Sequence, residues 1–142
     1  MGRFFVHLHG KTKDSSCEAL IAKYLKRVSK INVKIIEHSS KNTPDEYLAK
    51  LKEQSNGSNL ILLEEDGTTY SSIEFSEIIK EGSISTNNTH FAIGPASGFP
   101  KNNCNSISFS RMTFPHEIAS VILLEQIYRA TEIIGGTAYH KP

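Results

Sequence analysis

Short β-prone runs alternate along this chain with segments that carry their own helix-start and helix-stop signals, and this alternation narrows the possible folds most. The runs are Phe4–His9, Val33–Glu37, Asn59–Leu63, His90–Ile93 and Ile107–Ser110. The third is continuously apolar, as strands buried on both faces of a parallel sheet are. Between the runs, Thr43-Pro44-Asp45-Glu46 and Ser71-Ser72-Ile73-Glu74 are capping boxes, in which a hydroxyl accepts from the backbone three residues on and a glutamate reaches back. The first predicts a helix to about Ser55 that buries Tyr47, Leu48 and Leu51 and ends at Asn56-Gly57. The second predicts a helix carrying Phe75, Ile78 and Ile79 and stopping at Gly82. Glu64-Glu65-Asp66-Gly67 is expected to break the third strand with a turn. Cys17, Leu20, Ile21, Tyr24, Leu25 and Val28 recur at helical spacing before the second strand. A last helix starts at Pro115, carries Ile118, Val121, Ile122, Leu124, Ile127, Tyr128 and Thr131, and ends at Gly135-Gly136. Strands and helices in this order imply an α/β domain with a mostly parallel sheet.

At 142 residues the chain reads as a single domain spanning 1–142, long enough to bury roughly 70% of its unfolded surface. No apolar run approaches the ~20 residues of a membrane span, so no membrane partner is expected. The start, Met1-Gly2-Arg3-Phe4-Phe5-Val6, has neither a secretory signal nor the Ser or Thr of a myristoylation motif. The two cysteines, Cys17 and Cys104, lie far apart and outside any CxxC pair, which favours a reducing, cytoplasmic setting. A net charge of +1 is too weak for binding nucleic acid by bulk electrostatics. If RNA is bound, a local patch or an assembled surface must hold it.

Ligands of parallel α/β sheets sit beyond the carboxyl ends of the strands, which singles out the loops Leu63–Gly67, Gly94–Gly98 and Ser110–Phe114. Gly94-Pro95-Ala96-Ser97-Gly98 is no Walker loop, because Phe99 and Pro100 separate Gly98 from Lys101. Nor is it a serine-hydrolase elbow, since Ser97 falls one place late. It reads either as a glycine loop whose backbone approaches a small ligand or as a plain turn. The six histidines show no metal-site spacing, although His7 and His9 share a strand face, so no metal is expected. Lys23, Lys26, Arg27 and Lys30 largely occupy the polar face of the first helix, either as a solvated face or as an RNA contact. Glu125 and Arg129 are spaced for an i,i+4 pair, or for an arginine aimed at a phosphate or a partner subunit. The last helix, Leu123 included, carries more apolar residues than one stripe needs, and oligomerisation would cover the excess. Beyond its glycine stop, Tyr139-His140-Lys141-Pro142 is either a mobile end or functional.

Ser110-Arg111-Met112-Thr113-Phe114-Pro115-His116, Leu123-Leu124-Glu125-Gln126-Ile127-Tyr128-Arg129-Ala130 and Tyr139-His140-Lys141 resemble the C-terminal signature of the RlmH family, ribosomal RNA methyltransferases of the SPOUT superfamily. The resemblance extends through Phe91-Ala92-Ile93-Gly94, Leu63-Glu64 with Gly67 and Ser71-Ser72, and Lys23-Tyr24-Leu25-Lys26-Arg27. It implies an α/β domain with a C-terminal trefoil knot, the SPOUT or α/β-knot fold. It also implies a homodimer that uses S-adenosylmethionine to methylate N3 of a pseudouridine in large-subunit ribosomal RNA on the assembled ribosome. The implied cofactor residues are Leu63, Glu64, Gly94, Pro95, Ser110, Arg111, Met112, Thr113, Phe114 and Pro115. The implied substrate-side residues are Tyr139, which places the base, Arg129, which holds a phosphate, and His140, which assists loss of the N3 proton unless solvent suffices. Two positions depart from the family pattern. Pro95 follows Gly94 where a second glycine is common, with Ser97 in place of an acid, and Ser120 stands where many relatives carry an arginine. They motivate the alternative of an RNA- or ribosome-binding module with weak or lost catalysis. A methyltransferase acting on a different RNA is the other alternative.

Overall fold

The computed structural model describes residues 2–56 and 58–142. Its elements are β1 (Phe4–His9), α1 (Ser15–Arg27), β2 (Val33–His38), α2 (Pro44–Gln54), β3 (Asn59–Thr69), α3 (Ser72–Ile84), β4 (Thr89–Ile93), β5 (Asn105–Ser108) and α4 (His116–Ile134). The strands form one sheet in the order β2-β1-β4-β3-β5, and every pairing is parallel.

Strand alternation sorts the sheet into two unequal faces. On one face, Phe4, Val6 and Leu8 of β1 pack with Ile21 of α1, Phe75 and Ile79 of α3, and Leu123, Leu124 and Ile127 of α4. Fully burying each such aliphatic side chain contributes about 1.5–3 kcal/mol. On the other face, α2 lays Tyr47, Leu48 and Leu51 over Leu62 and Ala92. Both capping boxes form as the sequence predicts, at Thr43–Glu46 and Ser71–Glu74. α1 has a further cap, the Asp14 carboxylate accepting from Ser16 and Cys17.

Several expectations are corrected. Glu64–Gly67 does not end β3. The strand continues to Thr69 with a register shift, so that Ile107 of β5 pairs first with Leu63 and again with Thr68. A Cβ on Gly67 would lie 2.7 Å from the Ile107 backbone, and glycine is what lets β3 curl around β5. Gly82 does not stop α3, which runs on to Ile84. It lies inside the helix because a Cβ there would come 2.8 Å from the Phe4 ring. β5 begins at Asn105, two residues before the predicted run, and ends at Ser108 rather than Ser110. Leu20 is exposed rather than on the buried stripe, and Leu123 is fully buried within the protomer. The uncovered apolar residues near α4 are instead Ile118, Ile134 and, in the preceding loop, Met112. α2 ends at Gln54, and Gly57 of its expected stop lies outside the described residues, as does Met1.

Candidate active site

The three loops beyond the carboxyl ends of β3, β4 and β5 converge on one cleft of about 930 Å³. Leu63, Glu64, Gly94, Pro95, Ser110, Met112, Thr113, Phe114 and Pro115 all line it, whereas Arg111 is exposed and does not. Its floor is apolar, with Ile93 and Phe99, and Glu64, Glu65 and Asp66 stand along the β3 wall. The cleft falls within the ~300–1,000 Å³ usual for small-molecule sites. The second loop closes on itself, with the Gly98 N–H donating to the Pro95 carbonyl at 2.8 Å. Gly98 adopts φ +83°, a left-handed conformation natural to glycine. At Gly94 a Cβ would approach the Phe99 ring to 3.2 Å, so a side chain there would press on the cleft floor.

Lining residues that lie outside the predicted loops and cofactor residues include Phe99, Asn102, Phe109 and His116. Phe99 stacks on Tyr47 with centroids 5.7 Å apart, and the Tyr47 hydroxyl donates to the Ile93 carbonyl at 2.7 Å. The buried α2 tyrosine therefore braces the end of β4. Burial pushes its hydroxyl pKa far above the ordinary range. Asn102 organises its own loop, donating to the Pro100 carbonyl at 2.8 Å and accepting from the Cys104 N–H at 2.9 Å. The spacing of an Asn two residues before an acceptor-seeking amide is the one signal that could have identified it.

Arg129, Tyr139 and His140 form a second cluster. The Glu125 carboxylate accepts from Arg129 at 2.9 and 3.2 Å and from the Tyr139 hydroxyl at 2.7 Å. Those Glu125 bonds hold the Arg129 guanidinium pKa above its ordinary value. They also push the Tyr139 hydroxyl up to about 12, with burial adding to the effect. The Arg129 guanidinium lies over the Tyr139 ring at 4.9 Å, and Tyr139 meets Tyr128 edge-on at 4.8 Å. None of the three lines the cleft. From His116 to Arg129 the α4 axis rises roughly 20 Å at ~1.5 Å per residue. Within one protomer the cleft thus lies at the N-terminal end of α4 and the cluster on its C-terminal half.

Ser120 is fully buried, its hydroxyl donating to the His116 carbonyl at 2.7 Å, so in this chain the position serves helix packing. Among the described residues, no group of three or more His, Cys, Asp or Glu side chains could hold a metal ion. No helix among them is long and apolar enough to cross a membrane.

A parallel α/β sheet whose ligand cleft is built from the loops after its last three strands defines a class of small-molecule-binding α/β enzymes. Comparison with known proteins narrows that class. The family model described as "Predicted SPOUT methyltransferase" matches residues 3–140, and the chain belongs to that family. It is 37% identical to the ribosomal RNA large subunit methyltransferase H of Clostridium botulinum (strain Kyoto / Type A2), over 93% of this chain and 95% of that one. Identity to the protein of the same name from Thermodesulfovibrio yellowstonii is 38%, over 99% of both. Archaeoglobus fulgidus Nep1, solved bound to S-adenosylhomocysteine, superimposes with a TM-score of 0.54 at 10% identity, covering 92% of this chain and 99% of that one. The five parallel strands and four helices among the described residues fit the knotted SPOUT fold that the sequence resemblance implied.

Proposed function

We propose that this protein, acting as one methyltransferase domain over residues 1–142, transfers a methyl group from S-adenosylmethionine to N3 of a pseudouridine in large-subunit ribosomal RNA. It acts in the cytoplasm on the assembled ribosome, as a homodimer. The observation that carries the reading is the separation of cleft and cluster. A cleft suited to a small cofactor lies at the N-terminal end of α4, and a polar, aromatic cluster suited to a base and a phosphate lies on its C-terminal half. A second copy, docked through the uncovered Met112 and Ile118 beside the cleft, would bring its own Tyr139 and His140 to complete the site.

The cleft fits S-adenosylmethionine on its chemistry. Apolar Ile93, Phe99 and Phe114 suit a purine, and the carboxylates of Glu64, Glu65 and Asp66 suit ribose hydroxyls and a cationic amino-acid end. When bound, the cofactor supplies an electrophilic methyl group. The chain's own part is chiefly to align two reactants and exclude water. Pro95 has no N–H, so any backbone donor in the second loop must come from Gly94 or from residues after Pro95.

The geometry of the cluster supports a reading of the substrate side. A guanidinium has donors only, so the 3.0 Å contact from Arg129 Nη1 makes His140 Nδ1 the acceptor. The ring proton of neutral His140 then sits on Nε2, which can donate to a carbonyl of the base but cannot take a proton. The N3 proton, acidified by its two flanking carbonyls, leaves to solvent as the methyl group arrives. Tyr139, kept protonated by Glu125, presents its ring rather than a phenolate.

Incubation with labelled S-adenosylmethionine and ribosomes lacking the modification, followed by nucleoside mapping, tests the reading. Methyl transfer to N3 of one large-subunit pseudouridine is expected. Label on another RNA would reassign the substrate, and absence of cofactor binding by calorimetry would leave an RNA-binding module. Mixing Gly94→Trp protein with Arg129→Ala protein tests the shared site: exchange of subunits should restore roughly a quarter of the sites. No restoration in exchanged dimers would place the whole site in one protomer.

A further inference from the structure

We infer that Lys23, Lys26 and Arg27 of α1, continued through Tyr24 and Tyr128 to the C-terminal cluster, bind the sugar-phosphate backbone of the RNA substrate. The inference rests on the ribosomal RNA reading above and adds where the RNA lies. Positions 23, 26 and 27 fall at i, i+3 and i+4, so the cations share one face of the helix, where like charges repel. The helix dipole favours Lys26 and Arg27 in the last turn. It does not account for Lys23, nor for the aromatic rings beside these cations.

The rings join α1 to the tail. Arg27 lies over Tyr24 at 5.6 Å and over Tyr128 of α4 at 5.9 Å, and Lys23 lies 5.9 Å from the Tyr24 centroid. Tyr128 in turn meets Tyr139, over which Arg129 lies. A continuous path of packed cations and aromatic rings thus runs from the α1 surface to the C-terminal cluster. Exposed cations beside the edges of half-buried rings suit a nucleic-acid strand, with phosphates on the cations and the ring edges left open to a base.

The nearby carboxylates are already engaged. Glu125 is paired with Arg129, and Glu132 lies 3.5 Å from Lys30 and 3.4 Å from the Tyr128 hydroxyl. Lys30 is accordingly a structural cation, held at the α4 terminus beside Gly135. Lys23, Lys26 and Arg27 are exposed, and among the described residues they make no salt bridge. The local patch supplies what a net charge of +1 does not.

The test compares a Lys23→Gln/Lys26→Gln/Arg27→Gln variant with a control losing equal charge elsewhere, Lys41→Gln/Lys52→Gln/Lys80→Gln. Binding to a protein-free large-subunit RNA fragment and to ribosomes is measured across salt, with methyl-transfer kinetics and cofactor affinity alongside. The α1 variant should lose about two to three units of log K against log salt slope, and its KM for RNA should rise roughly ten-fold or more. Its kcat and cofactor affinity should stay near wild type. Equal losses in the control, or no loss in the α1 variant, would overturn the inference. So would weakened binding to ribosomes with unchanged binding to bare RNA, which would make the face a protein contact. Should loss of Arg27 unfold α1, the Lys23→Gln/Lys26→Gln pair carries the same test with a smaller slope change. Wild-type protein that methylates no RNA would instead count against the proposed function.

Discussion

Glu125 holds Arg129 and Tyr139 at once, its carboxylate accepting from the guanidinium at 2.9 Å and from the tyrosine hydroxyl at 2.7 Å. One α4 side chain therefore sets both the direction of the arginine and the seat of the C-terminal tail. Glu125→Gln keeps the shape but removes the charge and one acceptor oxygen, freeing Tyr139 or Arg129 to turn. Misplacement of about 1 Å near a reacting centre costs on the order of 100-fold in rate. Single-turnover kinetics should show kcat reduced by roughly 10- to 100-fold with cofactor affinity unchanged. An unchanged rate would separate the cluster from catalysis.

His7 bonds His38 at 2.8 Å and His90 at 2.8 Å, forming a buried row of three imidazoles across β2, β1 and β4. Burial, then the neighbouring His38 and His90, lowers His7 from 6.5 to about 3. Burial likewise lowers His38 and His90. The unfolded chain takes up these protons near pH 6.5, while the folded chain resists until lower pH. The row's stabilisation is therefore complete above about 6.5 and declines as pH falls below it, by about 1.4 kcal/mol per unit for His7. Urea midpoints measured from pH 7.5 to 5 should drop accordingly, and the drop should be shallower in His7→Leu. Parallel curves for the two proteins would count against this account.

At Gly67 the cost is steric. A Cβ would lie 2.7–2.9 Å from the backbone of Ile107, and that backbone is held in β5 by pairing on both sides of the β3 register shift. Gly67→Ala should lower stability by about 1–3 kcal/mol and weaken cofactor binding, since β5 leads into the third wall of the cleft. Thermal unfolding and calorimetry on the same preparation read the two effects.

Removing the Tyr47 hydroxyl leaves the Ile93 carbonyl without its 2.7 Å donor inside the protein. Tyr47→Phe should cost about 1–3 kcal/mol, the usual penalty for an orphaned buried acceptor. Because Ile93 lines the cleft, cofactor affinity should fall with it. Chemical denaturation showing less than half a kcal/mol lost would mean that water replaces the hydroxyl.

Local chemistry was legible where it acts over a few residues. The capping boxes at Thr43 and Ser71, the apolar strand from Asn59, the Pro115 start and the Gly135 stop all depend on neighbours in the chain, and the structure has them. Gly67 and Gly82 misled for a common reason. Each is glycine because a distant backbone or ring, Ile107 or Phe4, passes too close for a Cβ, and no local signal reports that.

By itself, the sequence determined the order of strands and helices, the loops that meet at the carboxyl edge, and the family. Capping, periodicity and motif identity are short-range properties. Only the tertiary structure decided that β3 curls around β5, that three histidines from separate strands hydrogen-bond in a row, and that the cleft lies at the N-terminal end of α4 while the Glu125 cluster lies on its C-terminal half. Those relationships join residues tens of positions apart, whose proximity comes from packing the whole chain.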